Sequence, residues 1–366
     1  MSTRPRGIGR VLVVGTGLIG TSVALALREH GVTVRLADQN AGSVRVACEL
    51  GAGAEWVPGE GRVDLAVIAV PPQFVAEWLL DLQKTDAARF YTDVASVKAL
   101  PIEQAARLGC DMSAYVAGHP LAGRERSGPG AARADVFLGR PWAYCPVPET
   151  SSEAVATVLE LIELCGGKPV EVDPVAHDEA VALISHAPHV AASAVAARLV
   201  GASDTALGLA GPGVRDVTRV AGSDPDLWTV ILAGNARPVA QVLEDIAADL
   251  AAAAAALRAV SVDDGGAIDR VTEMLRRGNA GRRRIPGKHG GPAPAYAVVQ
   301  VLVGDRPGEL ARLFQVARDA GVNIEDVRLE HAPGLQLGAA ELSVQPESAE
   351  VLAEALRAHG WHVPRA

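Results

Sequence analysis

The sequence predicts a doubly wound α/β domain, then an all-α domain, then a small βαββαβ module of ferredoxin-like order. Three observations predict this. Strand and helix patterns alternate over residues 1–174, helical periodicity continues without a convincing strand over 175–262, and residues 295–366 read β-α-β-β-α-β. A stretch rich in glycine, proline and arginine, residues 263–294, separates the last two and reads as a linker, with a helix around Ile268–Arg277 as the alternative for part of it.

The first domain opens with the apolar run Val11–Val14, which ends in Gly15-Thr-Gly-Leu-Ile-Gly20. A helical pattern through Val23, Leu25, Ala26 and Leu27 follows and stops near Gly31; Val32–Ala37 is a second strand. Strand, glycine turn, helix and strand form the first βαβ unit of a Rossmann-like sheet. Gly15 permits a tight turn, Gly17 lets backbone approach a pyrophosphate, and Gly20 lets the helix pack closely on the strand. The first helical residues, Leu18 and Ile19, offer free N–H groups and the positive end of the helix dipole to the phosphates. Asp38 ends the second strand, about 20 residues beyond the glycines. Its carboxylate would accept from the hydroxyls of an adenosine ribose and repel a 2′-phosphate. The expected cofactor is therefore NAD, with Arg35 and Arg45 as the nearby cations that would favour NADP.

Further strands are expected at Leu65–Val70, Phe90–Val94, Tyr115–Ala117 and Pro141–Cys145, in a parallel sheet. Val70 and Pro71, at the end of the third strand, are expected against the cofactor. Polar clusters fall where such a sheet presents its strand ends: Thr92-Asp-Val-Ala-Ser-Val-Lys98, and Gly118-His-Pro-Leu-Ala-Gly123 with Glu125 and Ser127. A third, Ser185-His-Ala-Pro-His189, lies in the helical domain, followed by Arg215-Asp-Val-Thr-Arg219 and Ser223-Asp-Pro-Asp-Leu-Trp228. Lys98 reads as an ion-pair partner or cap, and Trp228 as packing. His186 and His189 share one helical face if the helix is continuous. Ala247–Leu257 is nearly all alanine, a helix suited to close packing within the chain or between subunits.

Composition narrows the function classes. Of 366 residues 49% are hydrophobic, enough for a sizeable core, and no apolar run in the sequence approaches membrane-spanning length. The N-terminus lacks the apolar stretch of a signal peptide. A formal charge of -9 disfavours a nucleic-acid partner. Cys48, Cys110, Cys145 and Cys165 have no metal-ligand spacing, so no metal site is expected, and a reduced cytoplasmic protein is the simplest reading.

In order along the chain, the GLIG turn, DVASVK, GHPLAGRERSG, SHAPH and the TR…SDP…W run resemble the prephenate/arogenate dehydrogenase family over residues 11 to about 260. The resemblance implies NAD-dependent oxidative decarboxylation of prephenate to 4-hydroxyphenylpyruvate and CO2, in tyrosine biosynthesis. It assigns His119 to the ring hydroxyl of the substrate, and Ser96 to a hydrogen bond with that histidine near the nicotinamide. Arg219 would bind a substrate carboxylate and His189 the substrate side chain, with His186 and Ser185 in support. A histidine base suits neutral pH, and an arginine can hold a carboxylate bidentately.

The alternatives are arogenate dehydrogenase, which would give tyrosine directly, and a non-catalytic amino-acid sensor on the same fold. A β-hydroxyacid dehydrogenase would want a lysine in the helical domain, and residues 175–260 contain none.

At the C-terminal end, Asp305-Arg-Pro-Gly308 with Asn323 resembles an ACT domain. Its strands would be Tyr296–Val303, Ile324–Glu330, Ala339–Val344 and Trp361–Val363, with Asp305 capping a helix over Pro307–Ala320. That resemblance implies allosteric amino-acid binding, here feedback by tyrosine, and a homodimer.

Overall fold

The computed structural model describes residues 7–57, 59–122, 128–260, 265–286, 296–331 and 337–364. The chain divides into two compact units, Met1–Ala248 and Asp249–Ala366.

The first unit is built on an eight-stranded sheet. Its strands are β1 (Arg10–Val14), β2 (Thr33–Ala37), β3 (Ala54–Glu55), β4 (Val63–Ile68), β5 (Ala88–Asp93), β6 (Tyr115–Pro120), β7 (Pro141–Cys145) and β8 (Lys168–Glu171), in spatial order β3-β2-β1-β4-β5-β6-β7-β8. Helices α1 (Leu18–Glu29), α2 (Ala41–Glu49), α3 (Val75–Lys84), α4 (Ala99–Arg107) and α5 (Ser152–Leu164) cover it. Successive residues of β1 go to opposite cores: Val11 and Val13 pack with Val34, Leu36 and Val67, while Leu12 and Val14 pack with Ala66, Ile68 and Leu79. Burial on both faces explains why these strands read as unbroken apolar runs. The sheet is not wholly parallel: β6 and β7 pair antiparallel, with His119 opposite Ala143. This departs from the expected parallel order. The connection from β6 to β7 holds two 3-10 turns and no α-helix among its described residues, whereas a parallel crossover is usually helical. Two strands, β3 and β8, were not foreseen; they are short and exposed, so no apolar run marks them.

From residue 174 the unit is helical: α6 (Pro174–Val181), a π-helical segment Ala182–His186, α7 (Ala187–Ala197), α8 (Asp204–Gly208), α9 (Pro212–Thr218), a 3-10 turn Arg219–Gly222, α10 (Pro225–Gly234) and α11 (Ala236–Ala259). Asp173 starts α6 by accepting from the Val175 and Ala176 N–H groups, with Pro174 in the first turn. Pro188 also falls in a first turn, that of α7, so the helical path continues through it. Pro174–Ala197 is therefore one 24-residue stretch, long and apolar enough to cross a membrane, which corrects the expectation that none reaches that length. It buries His177, Asp178, His186 and His189 within the unit and leaves Val175, Leu183 and Ile184 exposed. Within the alanine-rich end of α11, Ala256 is buried and Ala253 and Ala254 are half-buried.

The second unit contains α12 (Gly265–Arg283), β9 (Ala297–Gly304), α13 (Glu309–Asp319), β10 (Asp326–His331), β11 (Leu337–Val344) and α14 (Ala349–Ala358). α12 contains the alternative helix around Ile268–Arg277 and extends over most of the stretch read as a linker. Its isolated glycines each cost a helix only about 1 kcal/mol, and Arg277 bonds Asp249 at 2.7 Å. The antiparallel order is β10-β11-β9. Val299, Val301 and Val303 alternate into a core with Leu313, Leu342 and Leu352. The expected fourth strand at Trp361–Val363 is reduced to one bridge between His362 and Leu302. The expected cap also differs. Gly308, at φ 90°, precedes α13, and Asp305 and Pro307 lie outside the helix.

Candidate active site

The strand order reverses direction between β1 and β4, and there the glycine turn sits. A β-carbon on Gly15 would lie 2.2 Å from the Ala69 carbonyl oxygen, and one on Gly20 would lie 1.9 Å from that of Gly15. Both glycines are thus required by close packing, and Gly15 also by its φ of 97°. A β-carbon on Gly17 would meet nothing within 4 Å. That open space lies at the N-terminus of α1, which has no side-chain cap and no acidic residue in its first turn. Leu18 and Ile19 begin the helix, so their N–H groups are free for phosphate oxygens.

Asp38 is anchored to the same turn. Its Oδ2 accepts from the Thr16 N–H at 2.6 Å and the Thr16 hydroxyl at 3.0 Å, and its Oδ1 accepts from the Asn40 N–H at 2.8 Å. A carboxylate has about four acceptor positions, so one remains for a ribose hydroxyl, where two had been expected. Arg35 pairs with Glu60 at 2.6 Å. Val70 and Pro71 follow β4 at the mouth of the turn, half-buried and exposed. This cradle fits a dinucleotide: open space at Gly17, unclaimed helix N–H groups, and a carboxylate at the ribose position.

The histidines gather around the end of β6, two strands beyond β4 in the same sheet. His119 lies on β6, which Gly118 brings close to β5; a β-carbon at Gly118 would lie 2.8 Å from the Asp93 carbonyl oxygen. Lys98, on the connection from β5 to α4, is fully buried. Its Nζ contacts Asp93 Oδ1 and donates to the Gly118 carbonyl at 2.6 Å. Lys98 is thus the ion-pair partner expected. Asp93 Oδ2 accepts from the Tyr115 hydroxyl at 2.6 Å. Burial, then the Asp93 carboxylate, hold that phenol well above its ordinary pKa, so it stays a donor.

His119 does not bond Ser96. Its Nδ1 lies 2.9 Å from Nε2 of His177, whose Nδ1 lies 2.8 Å from Asp178 Oδ1. Asp178 also accepts the Lys98 and Ala99 N–H groups at 2.8 and 2.9 Å, tying α6 to the start of α4. Ser96 is half-buried and makes no side-chain hydrogen bond among the described residues. His177 takes the position because its helix docks on α4 through Asp178. Burial lowers the His119 pKa well below the usual histidine value, and His177, Lys98 and His186 add to it.

His186 is buried, and its Nδ1 lies 3.1 Å from Nδ2 of Asn235, which also donates to the Asp178 carbonyl at 2.7 Å. Burial lowers its pKa to about 4. His189 stacks on Trp228 with ring centroids 3.6 Å apart and planes at 8°, and His186 meets the same ring edge-on. Trp228 is thus more than packing: it joins both histidines. Burial also lowers the His189 pKa. Ser185 is exposed on the π segment. Arg219 is exposed on the 3-10 turn that packs against α7, the helix of His189. Glu125 and Ser127 lie outside the described residues. Among those described, no acidic, histidine or cysteine cluster suits a metal ion. The cysteines are unpaired, and burial pushes Cys145 and Cys165 up to about 12, so neither is a thiolate at neutral pH.

His177, Asp178 and Asn235 are the site residues that sequence reasoning missed. The signal for the first two was an Asp-Pro helix start, Asp173-Pro174, with a His-Asp pair one turn on. Asn235 carried none.

In the second unit, Asp305 is exposed, Gly308 is left-handed at the start of α13, and Asn323 donates to Glu325 at 2.6 Å.

Comparison with known proteins accords with this arrangement. Residues 23–171 match the prephenate dehydrogenase nucleotide-binding domain, and residues 173–276 the prephenate dehydrogenase dimerization domain. The chain is 43% identical to the probable prephenate dehydrogenase NovF of Streptomyces niveus, over 96% of this chain and 98% of that one. Among solved structures it resembles prephenate dehydrogenase from A. aeolicus in complex with hydroxyphenyl propionate and NAD+. The TM-score is 0.67 at 26% identity, covering 77% of this chain and 100% of the other. It also resembles Synechocystis arogenate dehydrogenase, with a TM-score of 0.60 at 27% identity, covering 75% and 98%. With both domains matched in order and that identity sustained over nearly the whole chain, this protein belongs to the prephenate dehydrogenase family.

Proposed function

We propose that this protein is an NAD-dependent prephenate dehydrogenase, converting prephenate to 4-hydroxyphenylpyruvate and CO2. The observation that carries the reading is a histidine beside a dinucleotide cradle whose outward nitrogen is free to act as a base. Bound NAD+ supplies the two-electron acceptor for the reaction. Gly15, Gly17, Gly20 and the first N–H groups of α1 would hold its pyrophosphate, and Asp38 its ribose. His119 Nε2 takes the proton of the ring hydroxyl as carbonyl character develops there, and its lowered pKa keeps it in the base form at neutral pH. Arg219 binds a substrate carboxylate, and the His189–Trp228 stack receives the side chain. Loss of CO2 leaves an aromatic phenol, and the gain of aromaticity drives the reaction.

The likeness to an arogenate dehydrogenase keeps a second substrate in view. NADH formation by purified protein with NAD+ and either prephenate or arogenate distinguishes them. Turnover with prephenate is expected, and preference for arogenate would move the assignment. Silence with both would favour a non-catalytic sensor.

The chain also acts as a homodimer in this reading. Support comes from the matched dimerization domain and from large apolar side chains exposed within it, Val200 at 91% and Leu209 at 81%. Sedimentation at micromolar concentration tests it; a monomer would count against it. The C-terminal unit is read as an ACT domain that binds tyrosine, supported by its βαββα order and the left-handed Gly308 before α13. Calorimetric titration with tyrosine should give heat and inhibition; neither would remove the effector role.

A further inference from the structure

We propose that the proton taken from the substrate does not rest on His119 but passes to His177, forming an imidazolium against the Asp178 carboxylate. This rests on the reaction assigned above. The hydrogen-bond pattern sets the direction. Asp178 only accepts: Oδ1 takes the Lys98 N–H and Oδ2 the Ala99 N–H. The His177 Nδ1, 2.8 Å from Oδ1, therefore carries a hydrogen, and its Nε2 carries a lone pair. That lone pair faces His119 Nδ1 at 2.9 Å, so the hydrogen between the rings belongs to His119. His119 Nε2 is left with its lone pair free. The relay thus selects the tautomer that a base needs.

The charges around the rings say where a proton should settle. Burial disfavours a cationic His119, and so does Lys98, which approaches from the β5–α4 connection. Asp93 is already engaged by Lys98 and Tyr115. Asp178 touches His177 directly, and Asn235 closes the network from the end of α10 by donating to the Asp178 carbonyl. Transfer along the relay moves positive charge from beside an ammonium to beside a carboxylate. The step balances. The substrate O–H bond breaks as the His119 Nε2–H bond forms. The His119 Nδ1–H bond breaks as the His177 Nε2–H bond forms. His119 ends neutral with its hydrogen on Nε2, and His177, at 3% exposure, returns the proton through it.

Two measurements decide this. Ring-nitrogen NMR shifts of the unliganded protein should show His119 and His177 both protonated on Nδ1; an Nε2–H tautomer of His119 would overturn the relay. This needs no substrate, so it judges the relay even if prephenate proves to be the wrong substrate. For turnover, the single-turnover rate of the wild type in mixtures of H2O and D2O should fall along a curve, because two protons move. A straight line would mean one proton and would overturn the proposal. His177→Gln can still accept a hydrogen bond from His119 but cannot take a proton. Its single-turnover rate should fall about 10- to 100-fold with little change in KM. A folded variant with the wild-type rate would refute the relay and leave His177 a structural role.

Discussion

Replacing Lys98 with methionine tests the buried ion pair beneath the site. Both side chains of the Lys98–Asp93 pair are 0% exposed. Methionine keeps much of the stem's volume but removes the charge and the donor to the Gly118 carbonyl. Asp93 keeps the Ala95 N–H at 2.8 Å and the Tyr115 hydroxyl at 2.6 Å, but its charge is left uncompensated and away from water. Breaking one side of a buried pair costs about 3–5 kcal/mol, and stranding the Gly118 carbonyl adds about 1–3 kcal/mol. Uptake of a proton by Asp93 offsets part of this. A net loss of about 3–5 kcal/mol is expected, read as a lower urea midpoint at unchanged slope. The double variant Lys98→Met/Asp93→Asn should recover part of the loss, because it no longer buries a bare charge. A loss below about 1 kcal/mol, the range of exposed pairs, or strict additivity in the double variant, would refute the reasoning.

Other consequences are as direct. Gly20→Ala should destabilise the fold, since its β-carbon would lie 1.9 Å from the Gly15 carbonyl oxygen. Gly17→Ala should fold normally and lose NAD+ affinity, because its β-carbon enters space open only to the cofactor; thermal melts with NAD+ titration separate the two. His119→Ala should lower kcat by about 10²–10⁴, measured by NADH formation; an unchanged rate would remove it from the mechanism. Burial lowers the His186 pKa to about 4 when folded, below the ordinary histidine value of 6.5, so the unfolded chain binds the proton first. Stability should therefore fall as pH drops from 6.5 towards 4, by up to about 1.4 kcal/mol per pH unit from this residue. Urea melts across that range should show a shallower slope for His186→Gln. Trp228→Leu removes the stack on His189 and should raise KM for prephenate far more than it lowers kcat.

Much of this protein was legible in the chain itself. The apolar run of β1, the glycines after it and Asp38 specify a dinucleotide cradle through local geometry, since a turn that tight tolerates little else. His119, His186 and His189 stood out because they fall in the GHPLAG and SHAPH runs that carry the family resemblance. The all-α middle and the order of the C-terminal unit followed from periodicity. Tertiary structure decided what lies far apart in sequence. His177 meets His119 across 58 positions, and Asp178 reaches the start of α4 across 80. No local pattern encodes such contacts, because they arise only when α6 docks on the sheet. The turn of β7 to antiparallel and the single bridge at His362 were decided in the same way, by which neighbour each segment found. Sequence named the chemistry's residue types; packing chose which nitrogen of each histidine faces which partner, and so which one is free to act as the base.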